Sequence, residues 1–406
     1  MLERKEYLDQ LITWKDKQVI KVVTGVRRCG KSTLFSLYRD YLKSVGVPEE
    51  QIIFLNLEDL DYAELLEPDK LYSYVKKRLV SGRTSYVFLD EVQTCRGFEK
   101  AVDSLFIKPN VDVYITGSNA FLLSGELATL LSGRYVEIAM LPLSFREYWG
   151  AVSGKEDSKA GAFQKYLRYG SFPYVTQLEE NDTLIKTYIE GIYNTILIKD
   201  VAGREGITDI TLLESIIKTV ASSIGSPISA KKIGDTLRSA GRAISVNTVE
   251  RYLRALTESF IFYKADRYDI KGKQYLKTLG KYYIVDTGIR NLIVSSSSLD
   301  IGHRIENVVY LELLRRGYRV NVGKLAEKEV DFVASAGNAV TYYQVAASVL
   351  DSNTLERELD PLMRIPDHYP KVLLTMDEIG SDSVYEGIRQ LNLLDWLLTD
   401  RQEHGA

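Results

Sequence analysis

The chain has 406 residues, 45% of them hydrophobic and 26% charged, which is enough for two or three globular domains. A formal net charge of −3 excludes a uniformly basic nucleic-acid-binding protein, so any basic surface must be local. Two cysteines, Cys29 and Cys95, exclude a disulfide framework, and His303, His368 and His404 stand too far from them and from one another in sequence to suggest structural zinc.

The first six residues are charged and lack the apolar core of a signal peptide. No apolar run approaches the length of a bilayer, so the reading is a cytoplasmic protein with no membrane partner. Up to about residue 145, β-branched and aromatic runs at 19–24, 52–57, 86–90, 113–116 and 135–140 alternate with helical patterns. Apolar runs between helices predict an α/β fold, with a parallel sheet covered on both faces.

After the first of these runs stand Gly25, Val26, Arg27, Arg28, Cys29, Gly30, Lys31, Ser32 and Thr33. They match GxxxxGK[ST] at every fixed position, between a predicted strand and a predicted helix over 32–42. The glycines let backbone N–H groups wrap phosphates with no Cβ in the way, and the helix N-terminus favours an anion. This predicts ATP binding, with Lys31 on the β- and γ-phosphates and Ser32 on Mg²⁺. Arg27 and Arg28 read as phosphate contacts or as solvated, subunit-facing side chains, and Cys29 as a small filler rather than a redox switch.

The run at 86–90 ends in Asp90 and Glu91, at the carboxyl edge of the sheet beside the loop. Asp90 is expected to hold Mg²⁺ through water and Glu91 to act as general base on the attacking water. The next run ends in Gly117, Ser118 and Asn119. Ser118 or Asn119 is suited to touch the γ-phosphate or the water, unless the segment is a simple turn.

Taken in order, GVRRCGKST at 25–33, YVFLDEVQ at 86–93, ITGSN at 115–119, LSGRY at 131–135, LPLSFREY at 141–148 and YGSFP at 169–173 resemble a prokaryotic family. Its members are AAA-type P-loop ATPases carrying a C-terminal domain of unknown function, and the resemblance covers nearly the whole chain. It implies a sensor-1 role for Ser118 or Asn119, and that Asn56 restrains the catalytic glutamate. Arg134, after a predicted helix at 120–131, resembles an arginine finger completing a neighbouring subunit's site, which implies a homo-oligomer, a ring among the options. The competing reading of Arg134 is a helix-capping surface residue.

Helical patterns dominate from 163 to about 217, after a polar stretch at 153–159. From 228 the pattern resembles a winged helix. Ser229 suits a helix cap, and a second helix starting near Ser245 buries Val246, Val249, Leu253 and Leu256. Its other side carries Asn247, Thr248, Arg251 and Arg254, which suit a nucleic-acid groove. Runs at 260–265 and 275–279 are expected as the wing. Between 228 and 273 ten basic residues face five acidic ones, which favours DNA, although winged helices also bind proteins.

From 300 the chain resembles a restriction-endonuclease fold. Glu306 would be its helix acid and Asp331 its strand acid, while Gln344 and Ala346 occupy the last motif, with alanine where a catalytic lysine belongs. The expectation is loss of nuclease activity, with Lys324 and Lys328 as the substitutes considered. The predicted organisation is therefore a P-loop ATPase domain at 1–150, a helical lid or connector at 151–227, a winged-helix-like domain at 228–299 and an endonuclease-like domain at 300–406. The predicted function is Mg²⁺-dependent ATP hydrolysis by an oligomer whose C-terminal domains engage DNA or a protein partner. The alternatives are a slow-turnover ATP-gated switch and, less favoured, a DNA nuclease.

Overall fold

The computed structural model describes residues 2–118, 133–154, 156, 158–242, 244–294 and 300–399. The helix expected at 120–131 lies outside these residues. The chain forms two compact units, Met1–Pro142 with Glu258–Phe260, and Leu143–Thr257 with Ile261–Ala406.

The first unit is built on β1 (Ile20–Thr24), β2 (Ile52–Asn56), β3 (Ser85–Asp90), β4 (Val111–Gly117) and β5 (Tyr135–Ala139). All five strands fall where the apolar runs predicted them, within two residues at each end. Their order is β2-β3-β4-β1-β5, with every neighbouring pair parallel. Every residue of β1, β3 and β4 is buried, as a sheet covered on both faces requires. One face is aliphatic: Val22, Leu55, Leu89, Val113 and Ile115 pack with Leu71, Val102 and Leu105 of the covering helices. The other face is aromatic. Helix α1 is Lys5–Thr13, and α2 (Lys31–Ser44) buries Leu34, Phe35, Tyr38 and Leu42 at helical spacing. The rings of Phe88 and Tyr114 stack at 4.8 Å, Phe35 meets Phe88 edge-on at 5.2 Å, and the hydroxyls of Tyr38 and Tyr114 are 2.9 Å apart.

The second unit opens with helices. Phe145–Val152 starts on a capping box, with the Glu147 N–H donating to Ser144 Oγ at 3.0 Å and the Ser144 N–H to Glu147 Oε2 at 2.8 Å. Helices Lys159–Tyr169, Asp182–Thr195 (running on as a π-helical stretch, Ile196–Ala202) and Ile210–Ser222 follow. Helices Ala230–Ser239 and Val246–Glu258 come next. Ser229 caps the first, accepting the Lys232 N–H at 3.1 Å, as the sequence predicted. The rest is a mixed eight-stranded sheet made of β6 (Phe262–Asp269), β7 (Gln274–Ile284), β8 (Arg319–Leu325), β9 (Lys328–Ala336), β10 (Ala339–Ala346), β11 (Lys371–Thr375), β12 (Val384–Tyr385) and β13 (Ile388–Asn392). Their order is β12-β13-β11-β10-β9-β8-β6-β7.

Strands from both sides of the division expected at 299/300 share this sheet. The two wing runs form the hairpin β6 (Phe262–Asp269) and β7 (Gln274–Ile284). Yet β6 also pairs in parallel with β8 (Arg319–Leu325), through Arg267↔Val322 to Asp269↔Lys324. The hairpin is thus the edge of the same sheet that holds β9 (Lys328–Ala336) and β10 (Ala339–Ala346). Its backbone groups are satisfied by strands lying far downstream, a pairing that local pattern does not encode.

Beneath the amino end of β1, Lys21 is fully buried and its ammonium meets Asp112 Oδ1 and, at 2.7 Å, the Lys17 carbonyl. Asp112 Oδ2 also accepts from Tyr114 Oη at 2.8 Å and from the Asp16 N–H at 2.9 Å. Burial pushes the Lys21 ammonium down and the Asp112 carboxyl up, so each charge is held by the other. Lys21→Met is expected to cost the first unit about 3–5 kcal/mol, because it leaves a buried carboxylate unpaired. Without Lys21 the folded Asp112 holds its proton still more tightly than the unfolded chain does. The deficit should therefore grow as pH rises through the range in which the wild-type Asp112, itself raised by burial, ionises. Urea midpoints at pH 5 and pH 8 check this, and an equal deficit at both would refute it.

Candidate nucleotide site

The loop after β1 is shaped by glycine. Gly25 has φ +147°, and a Cβ there would lie 2.1 Å from the Met140 carbonyl oxygen. Gly30, at φ +107°, is the N-cap of α2. Lys31 points back into the loop, donating to the carbonyls of Gly25 at 3.1 Å and Val26 at 3.3 Å. Arg27 pairs with Glu58 at 2.9 Å, Arg28 is exposed, and Val26 and Cys29 are buried. Burial pushes the Cys29 thiol up, which suits the filler reading. Ser32 and Thr33 are exposed at the start of α2.

Arg4, which sequence reasoning passed over, braces this loop from beneath. Only 3% exposed, it donates from Nη1 to the Cys29 carbonyl at 2.7 Å and from Nη2 to the Leu141 carbonyl at 2.6 Å. Tyr7 adds a bond from the Leu141 N–H to its hydroxyl at 3.1 Å.

At the carboxyl end of β3, Asp90 is fully buried. Its Oδ1 accepts from Thr116 Oγ1 at 2.5 Å, while Oδ2 has no hydrogen-bond partner. Burial raises the Asp90 carboxyl above its usual range, and the Ser32 and Thr116 hydroxyls draw it part of the way back. A buried carboxylate oxygen left open beside a serine hydroxyl is a hard-oxygen donor set, which fits Mg²⁺.

Glu91 takes the left-handed conformation, φ 53° and ψ 50°, which costs a non-glycine residue on the order of 1–3 kcal/mol. Its N–H donates to Thr116 Oγ1 at 2.9 Å. Its Oε1 lies 3.6 Å from Lys31 Nζ, and Oε2 accepts from Gln93 Nε2. Burial raises the Glu91 carboxyl, but Lys31, Gln93 and Arg27 outweigh it and hold it below its usual range. The carboxylate is therefore an anion ready to take a proton. The fold brings together Lys31, Ser32, Asp90 and Glu91, all named from sequence, with Thr116 and Gln93, which were not.

The remaining residues named from sequence are placed as follows. Ser118 is buried and accepts from Gln93 Nε2 at 3.3 Å. Asn119 lies outside the described residues. Asn56 sits opposite Asp90 in register, and its Oδ1 takes the Glu58 N–H at 3.0 Å, so the hydrogen bond it makes is not to the glutamate it was expected to restrain. Arg134 is exposed, its carbonyl accepting the Ile20 N–H at 2.8 Å and its guanidinium lying over the Phe106 ring. It precedes β5, whose register with β1 runs from Ile20↔Tyr135 to Thr24↔Ala139. Arg134 is thus at the opposite edge of the sheet from the loop, about 16 Å away at the rise of a strand. It cannot serve its own chain's loop.

In the second unit Asn247, Arg251 and Arg254 are exposed on Val246–Glu258 and Thr248 is half-buried, while Val249, Leu253 and Leu256 are buried. A second charged cluster lies on the eight-stranded sheet and the helix Ile301–Arg315. Glu306 and Asp331 meet a lysine, but it is neither Lys324 nor Lys328. It is Lys281 of β7, 2% exposed, with Nζ 2.9 Å from Glu306 Oε1, 2.8 Å from Glu329 Oε1 and 3.9 Å from Asp331 Oδ1. Lys328 pairs instead with Asp360 at 3.3 Å. Burial and the Glu306 charge push Asp331 well above the usual carboxylate range. Burial also raises Glu306, but Lys281, His303 and Tyr283 outweigh it and bring it below that range.

Thr116→Val is expected to lower ATP turnover by about 10- to 100-fold while nucleotide affinity stays within about threefold, since it removes support from both acids and no ligand contact. Thr116→Ser, which keeps the hydroxyl, should retain most of the rate; steady-state kinetics and equilibrium nucleotide binding read both. Lys281→Met is expected to destabilise the second unit by about 3–5 kcal/mol, since three carboxylates lose their shared cation. A urea titration resolving the two units measures it, and an unchanged midpoint would show the cluster to be solvated.

A family model described as an AAA domain matches residues 17–149, and one described as Domain of unknown function (DUF8612) matches residues 160–300. A Haemophilus influenzae protein described as uncharacterized is 42% identical over 401 residues, 98% of this chain and 99% of that one. An uncharacterized protein of Methanocaldococcus jannaschii is 29% identical over 357 residues, 84% of this chain and 77% of that one. Among solved structures, the Walker-type ATPase of Pyrococcus abyssi aligns at TM-score 0.49 and 14% identity, covering 72% of this chain and 96% of that one. No helix among the described residues is long and apolar enough to cross a membrane. The chain belongs to the same family as the Haemophilus influenzae protein, and its residues 17–149 are an AAA-type ATPase domain.

Proposed function

We propose that the protein is a Mg²⁺-dependent ATPase that works as an oligomer and whose C-terminal domains engage DNA or a protein partner. The observation that carries this reading is the meeting of Lys31, Ser32, Asp90 and Glu91 at one sheet edge, with Glu91 an anion and Asp90 Oδ2 open.

Gly25 to Thr33 hold the phosphates by backbone N–H groups and the α2 N-terminus. Lys31 exchanges its two loop carbonyls for β- and γ-phosphate oxygens. Ser32 and Asp90 are the residues to hold Mg²⁺, which supplies charge neutralisation on the phosphates. Glu91 takes the proton of the attacking water as its oxygen bonds to the γ-phosphorus. The bond to the β-phosphate oxygen breaks, and ADP leaves with the electron pair. Ser118, at the tip of β4, is the sensor of the γ-phosphate, with Asn119 the alternative. Arg134 acts on the neighbour's γ-phosphate, because its own loop is at the far edge of the sheet. The exposed face of Asn247, Arg251 and Arg254, with Thr248 beside it, is the surface offered to DNA.

Four measurements test this. Mg²⁺-ATPase specific activity should rise with protein concentration across the assembly range. Glu91→Gln and Arg134→Ala should each lower kcat by at least about 100-fold. Mixing the two variants should restore turnover, because mixed interfaces contain sites with both groups intact; no recovery would argue against action in trans. Adding duplex DNA should stimulate turnover, and indifference to DNA would move the partner to a protein. Negligible turnover with tightly retained nucleotide would instead favour an ATP-gated switch.

A further inference from the structure

Gln93 lies two residues beyond Glu91, in the short 3-10 turn Val92–Thr94. Its amide nitrogen donates to two acceptors at once, Glu91 Oε2 and, at 3.3 Å, Ser118 Oγ. With both acceptors on the nitrogen's side, the amide faces Glu91 and Ser118 with its donor. The oxygen then points the other way. Gln93 Oε1 is buried and has no hydrogen-bond partner. A buried amide oxygen without a donor forfeits about 1–3 kcal/mol, so the position favours a donor arriving there.

The two oxygens of Glu91 are held differently. Oε1 faces Lys31, and Oε2 is held by Gln93. A lysine that turns to phosphate leaves Oε1 for the water, and Gln93 is then the group that still fixes the carboxylate. The same amide ties the base on β3 to the tip of β4.

We propose that Gln93 is the positioning residue of the hydrolytic site: its nitrogen fixes Glu91 against Ser118, and its open oxygen accepts a hydrogen bond from the attacking water, whose other proton goes to Glu91. This rests on the hydrolytic reading above and adds to it a residue that orders base and water together. Catalysis by orientation of this kind is sensitive to displacements of about 1 Å.

The test is a double-mutant cycle on the full-length protein with MgATP. Gln93→Ala, Gln93→Met and Gln93→Glu should each lower kcat about 10- to 100-fold, with KM for ATP and equilibrium nucleotide affinity within about threefold of wild type. Methionine keeps the bulk without a donor, and glutamate keeps the shape but repels Glu91. A space-filling role would therefore leave Gln93→Met near wild type, which would overturn the proposal. On a Glu91→Gln background, Gln93→Ala should cause little further loss, since residues acting as one unit are not additive. Multiplicative losses would show that Gln93 acts apart from Glu91 and would also overturn it. Wild type without Mg²⁺-ATP turnover would remove the hydrolytic reading itself, and the proposal with it. A wild type that turns over while Gln93→Ala is unchanged would remove only the proposal.

Discussion

The first unit's chemistry hangs on one hydroxyl. Thr116 Oγ1 gives its proton to Asp90 and accepts the N–H of Glu91. Glu91 is the first residue past the end of β3, so the ladder with β4, last paired at Leu89↔Ile115, no longer provides for its N–H. The hydroxyl provides instead, and the backbone at Glu91 can then turn left-handed. That turn directs the side chain towards Lys31 rather than onward along the strand. A single group from β4 thus sets the position of one acid and the direction of the next.

The two edges of this sheet treat buried charge differently. At the amino edge Lys21 and Asp112 pair one to one, closed in by the hydroxyl of Tyr114 and the backbone of Asp16. At the carboxyl edge Lys31 lies beside Glu91, and one oxygen of the neighbouring Asp90 stays open. The first arrangement has its charges balanced and suits a structural role. The second holds surplus negative charge and surplus lone pairs, which is what a site for a divalent cation and its phosphates needs.

What was legible in the sequence was local. The glycine spacing of the loop, the apolar runs of five strands and the acids ending the third are each written within a few residues, and each was found in place. The aids to those residues come from elsewhere. Arg4 reaches Cys29 and Leu141 across most of the first unit, and threonine in a β-rich run such as 113–116 reads as an ordinary strand former. Gln93 sits inside a quoted motif but shows its role only through the direction of its amide. The sharing of one sheet by the elements on either side of 299 was not legible for the same reason, because β6 finds its partner in β8, and no periodicity announces a pairing across such a separation.

Lys281 shows how far this can change a reading. Ala346 stands where the last motif calls for a lysine, and Lys324 and Lys328 are the substitutes that the sequence offers from another strand. The lysine that meets Glu306, Glu329 and Asp331 comes instead from β7, at the far edge of the sheet order. A register shift between Ala265 and Arg267 interrupts the β6–β7 pairing, and the β6–β8 pairing begins only at Arg267. Lys281, paired with Ala265, therefore lies on the part of the hairpin not laddered to β8. Its side chain is free to run to the helix Ile301–Arg315 and the start of β9. There one ammonium serves three carboxylates, and Asp331, the farthest of them, is the one pushed towards its neutral form. The cluster's charge is settled by its own lysine and by protonation. That separates it from the nucleotide site, where the open carboxylate oxygen remains.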